Sequence, residues 1–473
     1  MNNITRQRLR YVLTDLVTSA GGWTTFYVYR YHVTGYPNWP SLGDFMTSDV
    51  VLLGLILSPF VWVGLYAFSG YYRAPLIKSH LEDLQTTFLT VLAGTLAYFF
   101  AIVIDDVPLV DDSQLLLLKL PHVSRMAYMQ ILATMFACVF VPVYAGRLLV
   151  THLRHAAIQS GRAGVRTLVV GSGEAAQAIR RELAAAPRRD GYTLVGSIDE
   201  ARIGDDLATL VARQDIEAFL LAPDDRTPRT RYGLILRLLP YDRPIRTRPT
   251  DEEILSGSVR TGQVAGLPML EYGASCLPPF RRAMKRLADV VLSALALVLV
   301  SPLMAVLALL IKASSGHGPV FYSQERIGRC GHPFRIYKFR TMHPGAEPEG
   351  PRLASEGDAR ITPLGHTLRK YRLDELPQFW NILRGDMSLV GPRPERAHYI
   401  ERIMTMAPHY CKLLQVRPGL TSWGMVKYGY ASSVVEMIER MRYDLMYLDN
   451  CTMVMDMKIM GYTVRTVLTG RGI

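Results

Sequence analysis

The sequence predicts a membrane protein with three parts: a bundle of four transmembrane helices, a small cytoplasmic α/β domain, and a mainly helical domain with a re-entrant membrane helix. Three patterns lead to this prediction. Four apolar stretches fill the first third of the chain, short β runs alternate with helical segments in the middle, and an apolar stretch with a central proline precedes a polar C-terminal part. We place the parts at residues 1–155, 160–250 and 281–473, with 251–280 as a linker that contains short strands.

The composition supports a membrane location and excludes several other classes. The 473-residue chain is 49% hydrophobic and carries a formal net charge of +12, as is typical of membrane proteins with basic cytoplasmic faces. The cations are not concentrated in a tail or a repeat, so nucleic acid is not expected as a partner. The five cysteines are scattered without a Cys-x-x-Cys pair, which argues against disulfides and a zinc site.

The N-terminal apolar stretches cover residues 11–31, 50–68, 84–104 and 126–149, and each approaches the ~20 residues that cross a bilayer. The first is the weakest, because Asp15 and two glycines interrupt it. No small-residue cleavage site follows it, so we interpret it as a retained helix rather than a signal peptide.

The charges of the connecting segments predict the orientation. Basic residues precede the first span and follow the second and the fourth, whereas residues 32–49 contain no Lys or Arg and the third loop is acidic. The basic residues are Arg6, Arg8, Arg10, Arg73, Lys78, Arg147, Arg154, Arg162 and Arg166, and the acidic ones are Asp105, Asp106, Asp111 and Asp112. Since positive charge stays on the cytoplasmic side, the N-terminus and everything after residue 150 are predicted to be cytoplasmic.

Residues 160–250 have the alternation of a Rossmann-like parallel sheet. The β runs are Val165–Val170, Thr193–Ile198 and Ala218–Ala222. The first run leads into a Gly-x-Gly-x-x-Ala turn with Gly171 and Gly173, and Asp199 follows the second run, where an acidic ribose partner could lie. NAD binding, an unidentified ligand, and a purely structural or oligomerising role are all open for this domain.

Residues 287–312 form a further apolar stretch, long enough to span but flanked by cations on both sides. The flanking residues include Arg281, Arg282, Lys285, Arg286, Lys312, Arg326 and Arg329. At its centre, Pro302 removes a helix hydrogen bond, and the Ser301 hydroxyl can satisfy the freed backbone. We predict a re-entrant helix that breaks at Ser301-Pro302 and returns to the same face. A fifth, kinked span is the alternative.

An acidic pair, Asp374 and Glu375, lies among arginines further along the chain. The arginines are Arg369, Arg372, Arg384 and Arg393. Arginine forks neutralise phosphoryl oxygens, while carboxylates hold Mg²⁺ or attack phosphorus, so the cluster is typical of chemistry on a phosphate. A structural ion network at a helix start is the alternative.

The C-terminal part resembles the bacterial sugar transferases, which are the monotopic phosphoglycosyl transferases. Beyond the apolar Ser-Pro stretch, five segments carry the resemblance, and their order and spacing match over residues 280–470. They are Phe321–Gly328, Tyr337–Met342, Leu373–Gln378, Gly385–Pro394 and Arg417–Thr421. Four preceding spans and a Rossmann-like domain make the chain similar to the large, membrane-anchored polyprenyl-phosphate hexose-1-phosphate transferases, which include undecaprenyl-phosphate galactose and glucose phosphotransferases.

This resemblance implies a reaction, a cofactor and partners. A hexose-1-phosphate would pass from a UDP-sugar, UDP-galactose or UDP-glucose, to undecaprenyl phosphate, with release of UMP and a need for Mg²⁺. The implied setting is lipid-linked assembly of O-antigen, capsule or exopolysaccharide at the cytoplasmic face of the bacterial inner membrane. Membrane lipids are further expected partners, because basic residues around the apolar helix attract anionic head groups. A homodimer is also expected, as a purpose for the middle domain.

Residue roles follow from the resemblance and from side-chain chemistry. Asp374 is the predicted nucleophile and Mg²⁺ ligand, because a covalent intermediate divides one displacement between two anions into two steps. Glu375 is expected to activate the lipid phosphate or to assist metal and proton placement. Asp386 is expected in a turn or cap. The phosphate-binding candidates are Arg369, Arg393, Lys338 and Arg340.

Two other functions are kept as alternatives. A membrane glycosyltransferase would release UDP, but no Asp-x-Asp motif occurs in the C-terminal half. A non-catalytic, nucleotide-sensing scaffold would gain nothing from charged groups that cost stability when buried. The sequence also departs from the family pattern at two places: residues 423–430 differ from the usual loop, and Arg372 stands where serine is common.

Overall fold

A computed structural model describes residues 3–34, 40–72, 80–105, 125–185, 191–203, 205–224, 227–250, 254, 261–264, 267–272, 279–314, 318–346, 350, 352–353 and 358–470. The chain divides into two compact units. The first contains the helices of the N-terminal part, and the second contains the α/β sheet together with residues 284–473. The loop residues Arg73, Lys78, Asp106, Asp111 and Asp112, as well as much of the predicted linker, lie outside the described residues.

The first unit is helical. Its helices are α1 (Asn3–Thr34), α2 (Leu42–Met46), α3 (Asp49–Phe68), α4 (His80–Asp105) and α5 (Arg125–Gln159). Among the described residues, three helical stretches in the whole chain are long and apolar enough to cross a membrane, namely Val51–Phe68, Met129–Gln159 and Phe280–Ser314. All four predicted N-terminal spans are therefore helical. Among the described residues, however, α1 and α4 contain no stretch that meets this criterion of length and apolarity.

A buried ion pair holds α1 against α5. Arg147 Nη2 lies 2.8 Å from Asp15 Oδ2, and both side chains are fully buried. The same guanidinium donates to Thr87 Oγ1 of α4 at 2.7 Å, and Asp15 accepts from the Tyr72 hydroxyl at 2.6 Å. Such additional hydrogen bonds are what make a buried ion pair tolerable. The aspartate that interrupts the first apolar stretch thus joins three helices. Arg147 was counted among the basic residues that follow the fourth span, but it lies inside α5 and is buried against Asp15.

A six-stranded mixed sheet opens the second part of the chain. Its strands are β1 (Val165–Val170), β2 (Tyr192–Ile198), β3 (Ala218–Leu221), β4 (Ile245–Thr247), β5 (Thr261–Val264) and β6 (Leu267–Tyr272), in the order β2-β1-β3-β4-β6-β5. β3 is parallel to β1 and β4, as predicted, whereas β6 is antiparallel to β4 and β5. The antiparallel strands β5 and β6 lie outside residues 160–250, for which the parallel sheet was predicted. The predicted linker supplies two strands, and the two-residue connection between them can join only an antiparallel pair.

The sheet and the C-terminal domain share one buried core. The helices around the sheet are α6 (Glu174–Ala185), α7 (Asp205–Arg213) and α8 (Pro228–Leu238). Ile235 of α8 belongs to the same cluster of buried side chains as Cys411 and Leu414, which lie in a 3-10 segment, Pro408–Gln415, of the C-terminal domain. Removing this apolar surface from water stabilises the two domains together, so they form a single compact unit.

α9 (Pro279–Ser314) is one continuous helix with Pro302 inside it. The predicted break at Ser301-Pro302 is therefore absent as a change of secondary structure. The reason is local: Pro302 has no N–H for the carbonyl of Val298, and Ser301 Oγ donates to that carbonyl at 2.8 Å instead. The return of the chain to one membrane face stays a prediction.

Two points on α9, Lys285 and Ile311, pack against the C-terminal domain, while much of the stretch between them is exposed. Near the first end Lys285 forms an ion pair with Asp456. Near the last, Ile311 packs in a buried cluster with Phe339 and Leu368. The exposed apolar side chains between them are Leu287, Val291, Leu292, Leu295, Val298, Leu299, Leu303, Val306, Leu309 and Leu310. A bare apolar stretch of this size is typical of a surface that contacts lipid.

The rest of the C-terminal domain is mainly helical. It contains the antiparallel hairpin of β7 (Phe321–Ile327) and β8 (Pro333–Phe339), and the parallel pair β9 (Ser388–Val390) and β10 (Gly419–Thr421). Its helices are α10 (Pro363–Lys370), α11 (Gln378–Arg384), α12 (Ala397–Met406), α13 (Trp423–Lys427), α14 (Val434–Asp449) and α15 (Met453–Leu468). The turn between α10 and α11 contacts β8 and carries the acidic pair.

Candidate active site

Asp374 and Glu375 lie in a single 3-10 turn, Leu373–Glu375. Arg372 precedes the turn with a φ of 53°, in the left-handed region that residues other than glycine seldom adopt. Both carboxylates are turned into the domain, so only 10% and 6% of their side chains are exposed. Backbone strain of this kind clusters at functional sites.

Lys338, on β8, lies beside the carboxylate pair. Its Nζ is 2.8 Å from Glu375 Oε1 and 4.0 Å from Asp374 Oδ2. The strand is held by the buried Asn381 of α11, whose amide donates to the Arg335 carbonyl at 2.7 Å. This hydrogen bond between α11 and β8 fixes the distance between the lysine and the pair.

Two arginines reach the same glutamate. Arg372 Nε lies 3.7 Å from Glu375 Oε2, and Arg393 Nη1 lies 3.6 Å from Glu375 Oε1. Among the described residues, Glu375 thus has three cations within 4.0 Å, whereas Asp374 has one, at that limit. The two carboxylates are neighbours in sequence but differ in their electrostatic surroundings.

The two carboxyl groups are therefore shifted in opposite directions. Burial raises the pKa of Asp374 above its ordinary value, and the charge of Glu375 adds to the rise against the effect of Lys338. Burial also disfavours the ionised form of Glu375, but its three cations outweigh this effect and hold its pKa well below the usual range. Glu375 is the firmly ionised member of the pair, and Asp374 is the more basic one.

The other two predicted phosphate binders have no ion pair with these carboxylates in the described part of the chain. Arg369 Nε donates to Thr341 Oγ1 at 2.9 Å. Arg340 is 8% exposed, and none of its guanidinium nitrogens has a hydrogen-bond partner among the described residues. Gly318 makes room for it, since a Cβ there would lie 1.5 Å from Arg340 Nη1. A buried cation without an acceptor is costly, so this arginine indicates an anionic ligand.

Asp374 is the residue of the pair that suits a metal ion. No group of three or more His, Cys, Asp or Glu side chains in the described ranges could hold one. Mg²⁺ is usually bound in phosphate sites by one or two carboxylates together with substrate phosphates and water. A single carboxylate with few cations nearby fits that pattern, whereas the oxygens of Glu375 already face three cations.

The segment that carries Arg393 is fixed by buried contacts with α14. The sequence did not indicate these contacts. Glu395 pairs with Arg440 of α14. Asp444 on the same helix accepts a hydrogen bond from the Gly424 N–H at 2.8 Å and another from the backbone of Arg393. The partners lie far apart in the chain, and no short motif links them.

The glycine-rich turn after β1 is filled by a carboxylate of the chain itself. A Cβ at Gly173 would lie 1.6 Å from Asp224 Oδ2, and Asp224 Oδ1 accepts from the Ala175 N–H at 3.4 Å. The predicted ribose partner, Asp199, accepts from the Ser172 hydroxyl at 3.1 Å. A bound dinucleotide places a phosphate at this helix N-terminus, so Asp224 occupies the position that the phosphate would need.

Tyr430 lies against the arginines of the site. The guanidinium carbons of Arg372 and Arg393 are 5.8 Å and 5.5 Å from the centroid of its ring. Arg372 and the segment 423–430 are the two places where the sequence departs from the family pattern, and the structure brings them into contact beside Glu375.

A buried carboxylate pair beside arginine and lysine, on a domain with an exposed apolar helix, defines a membrane-associated protein that handles phosphate groups. The comparisons agree. Residues 280–470 match the family Bacterial sugar transferase. The chain is 40% identical over 220 residues to a UDP-N-acetylgalactosamine-undecaprenyl-phosphate N-acetylgalactosaminephosphotransferase of Aeromonas hydrophila, over 46% of this chain and 51% of that protein.

Two shorter relatives are covered more completely. The chain is 42% identical over 189 residues to a UDP-glucose:undecaprenyl-phosphate glucose-1-phosphate transferase of Caulobacter vibrioides, over 39% of this chain and 70% of the relative. It is 34% identical over 233 residues to an exopolysaccharide production protein, ExoY, of Sinorhizobium fredii, over 46% of this chain and 99% of the relative.

The protein belongs to the bacterial sugar transferase family, as its motifs predicted. The family match lies in the C-terminal domain, which contains α9 and the acidic pair. The chain spans about half the length of the Aeromonas protein, 51% of it.

Asp444→Asn tests the support behind Arg393 through its pH dependence. Burial raises the pKa of Asp444 to about 6, so the folded protein binds this proton more tightly than the unfolded chain does. Stability should therefore fall as the pH rises from about 4 to about 6, by at most about 3 kcal/mol, and then level off. The Asn variant should lack this loss, because its side-chain oxygen can still accept from Gly424.

The measurement is thermal or denaturant unfolding of the detergent-solubilised chain between pH 4 and pH 8. Asp449→Asn, at the exposed end of the same helix, is the matched control and should keep the wild-type profile. Identical pH profiles for wild type and Asp444→Asn would contradict the assignment.

Proposed function

We propose that the chain transfers a hexose-1-phosphate from a UDP-sugar to undecaprenyl phosphate and releases UMP. The observation that carries this proposal is the unequal carboxylate pair, in which Glu375 gathers the cations while Asp374 keeps a more basic carboxylate. The names of two relatives describe the same class of reaction, with UDP-N-acetylgalactosamine and UDP-glucose as donors. UDP-glucose and UDP-galactose are the donors we propose to try first for this chain.

In the first step, a carboxylate oxygen of Asp374 attacks the phosphorus that carries the hexose. The bond from this phosphorus to the bridging oxygen of the diphosphate breaks, and UMP leaves with the electron pair. The product on the enzyme is an aspartyl phosphosugar. The raised pKa of Asp374 favours this role, because a more basic carboxylate is a better nucleophile once it is ionised.

In the second step, an oxygen of the lipid phosphate attacks the same phosphorus. The aspartyl bond breaks, the carboxylate of Asp374 is restored, and the lipid carries the sugar through a diphosphate. Glu375 lies one residue away and stays ionised, so it is a poor proton acceptor and its proposed part is to position cations: it holds Lys338 and Arg393 where the lipid phosphate, entering as the dianion, meets them.

Cations around the pair offset the charge of two anionic substrates. Arg340 has buried nitrogens without a partner in the described residues, and Arg369 and Arg393 lie in the adjoining segments. Guanidinium groups bind phosphoryl oxygens in pairs of parallel hydrogen bonds. Asp374 would hold Mg²⁺, which supplies further charge neutralisation on the diphosphate when bound.

The membrane contact proposed for α9 is a re-entrant one. Lys285 and Ile311, near its two ends, both pack on the C-terminal domain, while the apolar side chains between them are exposed. A helix that one domain holds at two such separated points is most simply placed with both points at one membrane face. α15 adds a second apolar surface, an exposed stripe at helical spacing formed by Val454, Met457, Val464 and Leu468.

We propose that the chain is a multi-pass protein of the bacterial inner membrane, with α1, α3, α4 and α5 as a four-helix membrane bundle. The apolarity of α3 and α5 supports two of these spans. The buried pair of Arg147 and Asp15 supports membership of α1, because a membrane-buried charge is tolerated when it faces a partner inside the bundle. The basic residues predict a cytoplasmic C-terminal part, where a soluble UDP-sugar is available.

For the sheet domain we propose a structural role without a bound dinucleotide. Gly171 is explained by its φ of 135° and by the Ala222 carbonyl, which would lie 2.2 Å from a Cβ, and Gly173 is explained by Asp224. Neither glycine therefore requires a pyrophosphate nearby. The core that this domain shares with the C-terminal domain supports a bracing role. The homodimer stays a proposal.

Asp374→Asn should abolish lipid-dependent UMP release, by a factor on the order of 10⁴, because an amide cannot form the covalent intermediate. Asp386→Asn is the matched control, since it removes a carboxylate from a nearby turn where Asp386 pairs with the half-exposed Arg384. The readout is radiolabelled UMP together with isolation of the protein–phosphosugar adduct. An Asp374→Asn protein that turns over and still forms the adduct would disprove the nucleophile.

Single cysteines on the two flanks of α9 test the re-entrant placement. Arg281→Cys and Ser314→Cys, in a chain whose five native cysteines are replaced, should both react with an impermeant maleimide in inverted vesicles only. Labelling of the two positions from opposite sides would mean that α9 spans the membrane. Pro302→Ala, introduced into both single-cysteine chains, tests whether the proline causes α9 to return to the same membrane face. If it does, one of the two cysteines in this variant should be labelled from the opposite side of the membrane.

NAD and NADH should not bind the full-length chain at micromolar concentrations, because Asp224 fills the phosphate position. Asp224→Ala removes that carboxylate and leaves the Ala175 N–H open. Intrinsic fluorescence or calorimetric titration of wild type and variant measures this. Saturable NAD binding by the wild-type chain would refute the structural role.

A further inference from the structure

Tyr430 is the outer layer of a stack whose inner layer is two buried cations. Tyr430 is 36% exposed, whereas the side chains of Arg372 and Arg393 beneath its ring are only 8% and 18% exposed. Both guanidinium carbons lie within 5.8 Å of the ring centroid. Packing the ring against the guanidinium groups costs little free energy, because cation–π attraction offsets part of the loss of hydration. Part of its surface stays open at the site.

Arg372 has bonding capacity that the chain does not use. Its Nη2 is buried and has no hydrogen-bond partner among the described residues. The side chain contacts Glu375 at 3.7 Å and is hydrogen bonded to Tyr430. It is also the residue with a φ of 53° that begins the catalytic turn. Strain at this position and an unpaired donor both indicate a ligand that the guanidinium binds.

These two residues lie near the atoms that carry the sugar. In the proposed reaction, Asp374 attacks the phosphorus to which the hexose is attached, and Arg372 is two residues before it. Glu375 contacts both Arg372 and Arg393, so the arginine beneath Tyr430 and the proposed phosphate-binding Arg393 belong to one ion cluster. The group bound to the attacked phosphorus is therefore the part of the donor that can reach the open side of Tyr430.

We propose that Tyr430 and Arg372 form the wall that contacts the hexose of the donor and selects among hexoses. This inference rests on the proposed function. The ring of Tyr430 packs on the apolar C–H face of the sugar, and Arg372 donates through Nη2 to a sugar hydroxyl or to the adjoining phosphate oxygen. A buried donor satisfied by one epimer and left unpaired by another discriminates strongly between them.

The test uses the full chain in native membranes, with Mg²⁺, undecaprenyl phosphate and UDP-glucose, UDP-galactose or UDP-N-acetylgalactosamine. UMP release gives kcat and KM for each donor. The variants are Tyr430→Ala, Tyr430→Phe and Arg372→Lys. Tyr428→Ala is the matched control, because Tyr428 belongs to the same segment and is 39% exposed but faces Tyr443 instead of the arginines.

Tyr430→Ala should lower kcat/KM for the preferred donor about tenfold or more and reduce the preference between donors. Tyr430→Phe keeps the ring and should retain most of the preference, whereas Arg372→Lys should lose it. Tyr428→Ala should match wild type. An equal loss for every donor, with an equal loss of inhibition by UMP, would place the ring at the ribose or give it a positioning role only, and would overturn the inference.

Failure of the proposed function has a different signature. If the wild-type chain releases no UMP from any donor, the proposed reaction is wrong. The binding of UDP-hexoses then tests separately whether Tyr430 and Arg372 contact the hexose. Calorimetric titration of Asp374→Asn protein with each UDP-hexose, with and without Tyr430→Ala, measures selectivity without turnover. Unchanged dissociation constants, or unchanged ratios between hexoses, would rule out the wall.

Discussion

The ion pair between Lys338 and Glu375 is the interaction on which the site depends. It joins β8 to the turn Leu373–Glu375, which carries the acidic pair, across 2.8 Å. Two adjacent buried carboxylates repel each other when both are ionised, so one of them would normally keep its proton. Lys338, with Arg372 and Arg393, keeps one of them charged and leaves the other basic. The division of work between Asp374 and Glu375 that we propose follows from this asymmetry.

The same cluster links the chemistry to the membrane helix. Phe339 follows Lys338 on β8 by one residue and packs with Ile311 of α9, so strand and helix are held in one buried core. Asp289, near the other end of α9, accepts from the Leu389 N–H at 3.0 Å, four residues before Arg393. α9 therefore contacts both the strand that carries Lys338 and the segment that leads to Arg393. In the reaction that we propose, a lipid phosphate at head-group level and a nucleotide from water meet where these elements converge.

Local patterns predicted much of this structure. The β runs of the middle domain lie at β1, β2 and β3, and the family motifs carry the acidic pair and its nearest cations. Patterns that need distant partners were not accessible. Asp15 weakens the first apolar stretch, but its pairing with Arg147 across 132 residues cannot be seen in sequence. Short strands were predicted in the glycine- and proline-rich linker, and β5 and β6 lie there, but the pairing of β6 with β4 that makes them part of the sheet could not be predicted. Asp224 closes the glycine-rich turn from 51 residues beyond Gly173, so a motif typical of phosphate binding was ambiguous until the fold was known.

The most direct measurement of the central claim is the identity of the nucleotide released by the wild-type chain. Native membranes with Mg²⁺, undecaprenyl phosphate and a panel of UDP-sugars supply the reaction, and the nucleotide is separated by anion-exchange chromatography. An attack of Asp374 on phosphorus predicts UMP. Without lipid phosphate at most one UMP per enzyme molecule is formed, whereas with lipid phosphate the release continues, with one lipid consumed for each UMP. Release of UDP would mean that the bond to the sugar carbon breaks instead, and the phosphosugar transfer proposed for this site would be wrong.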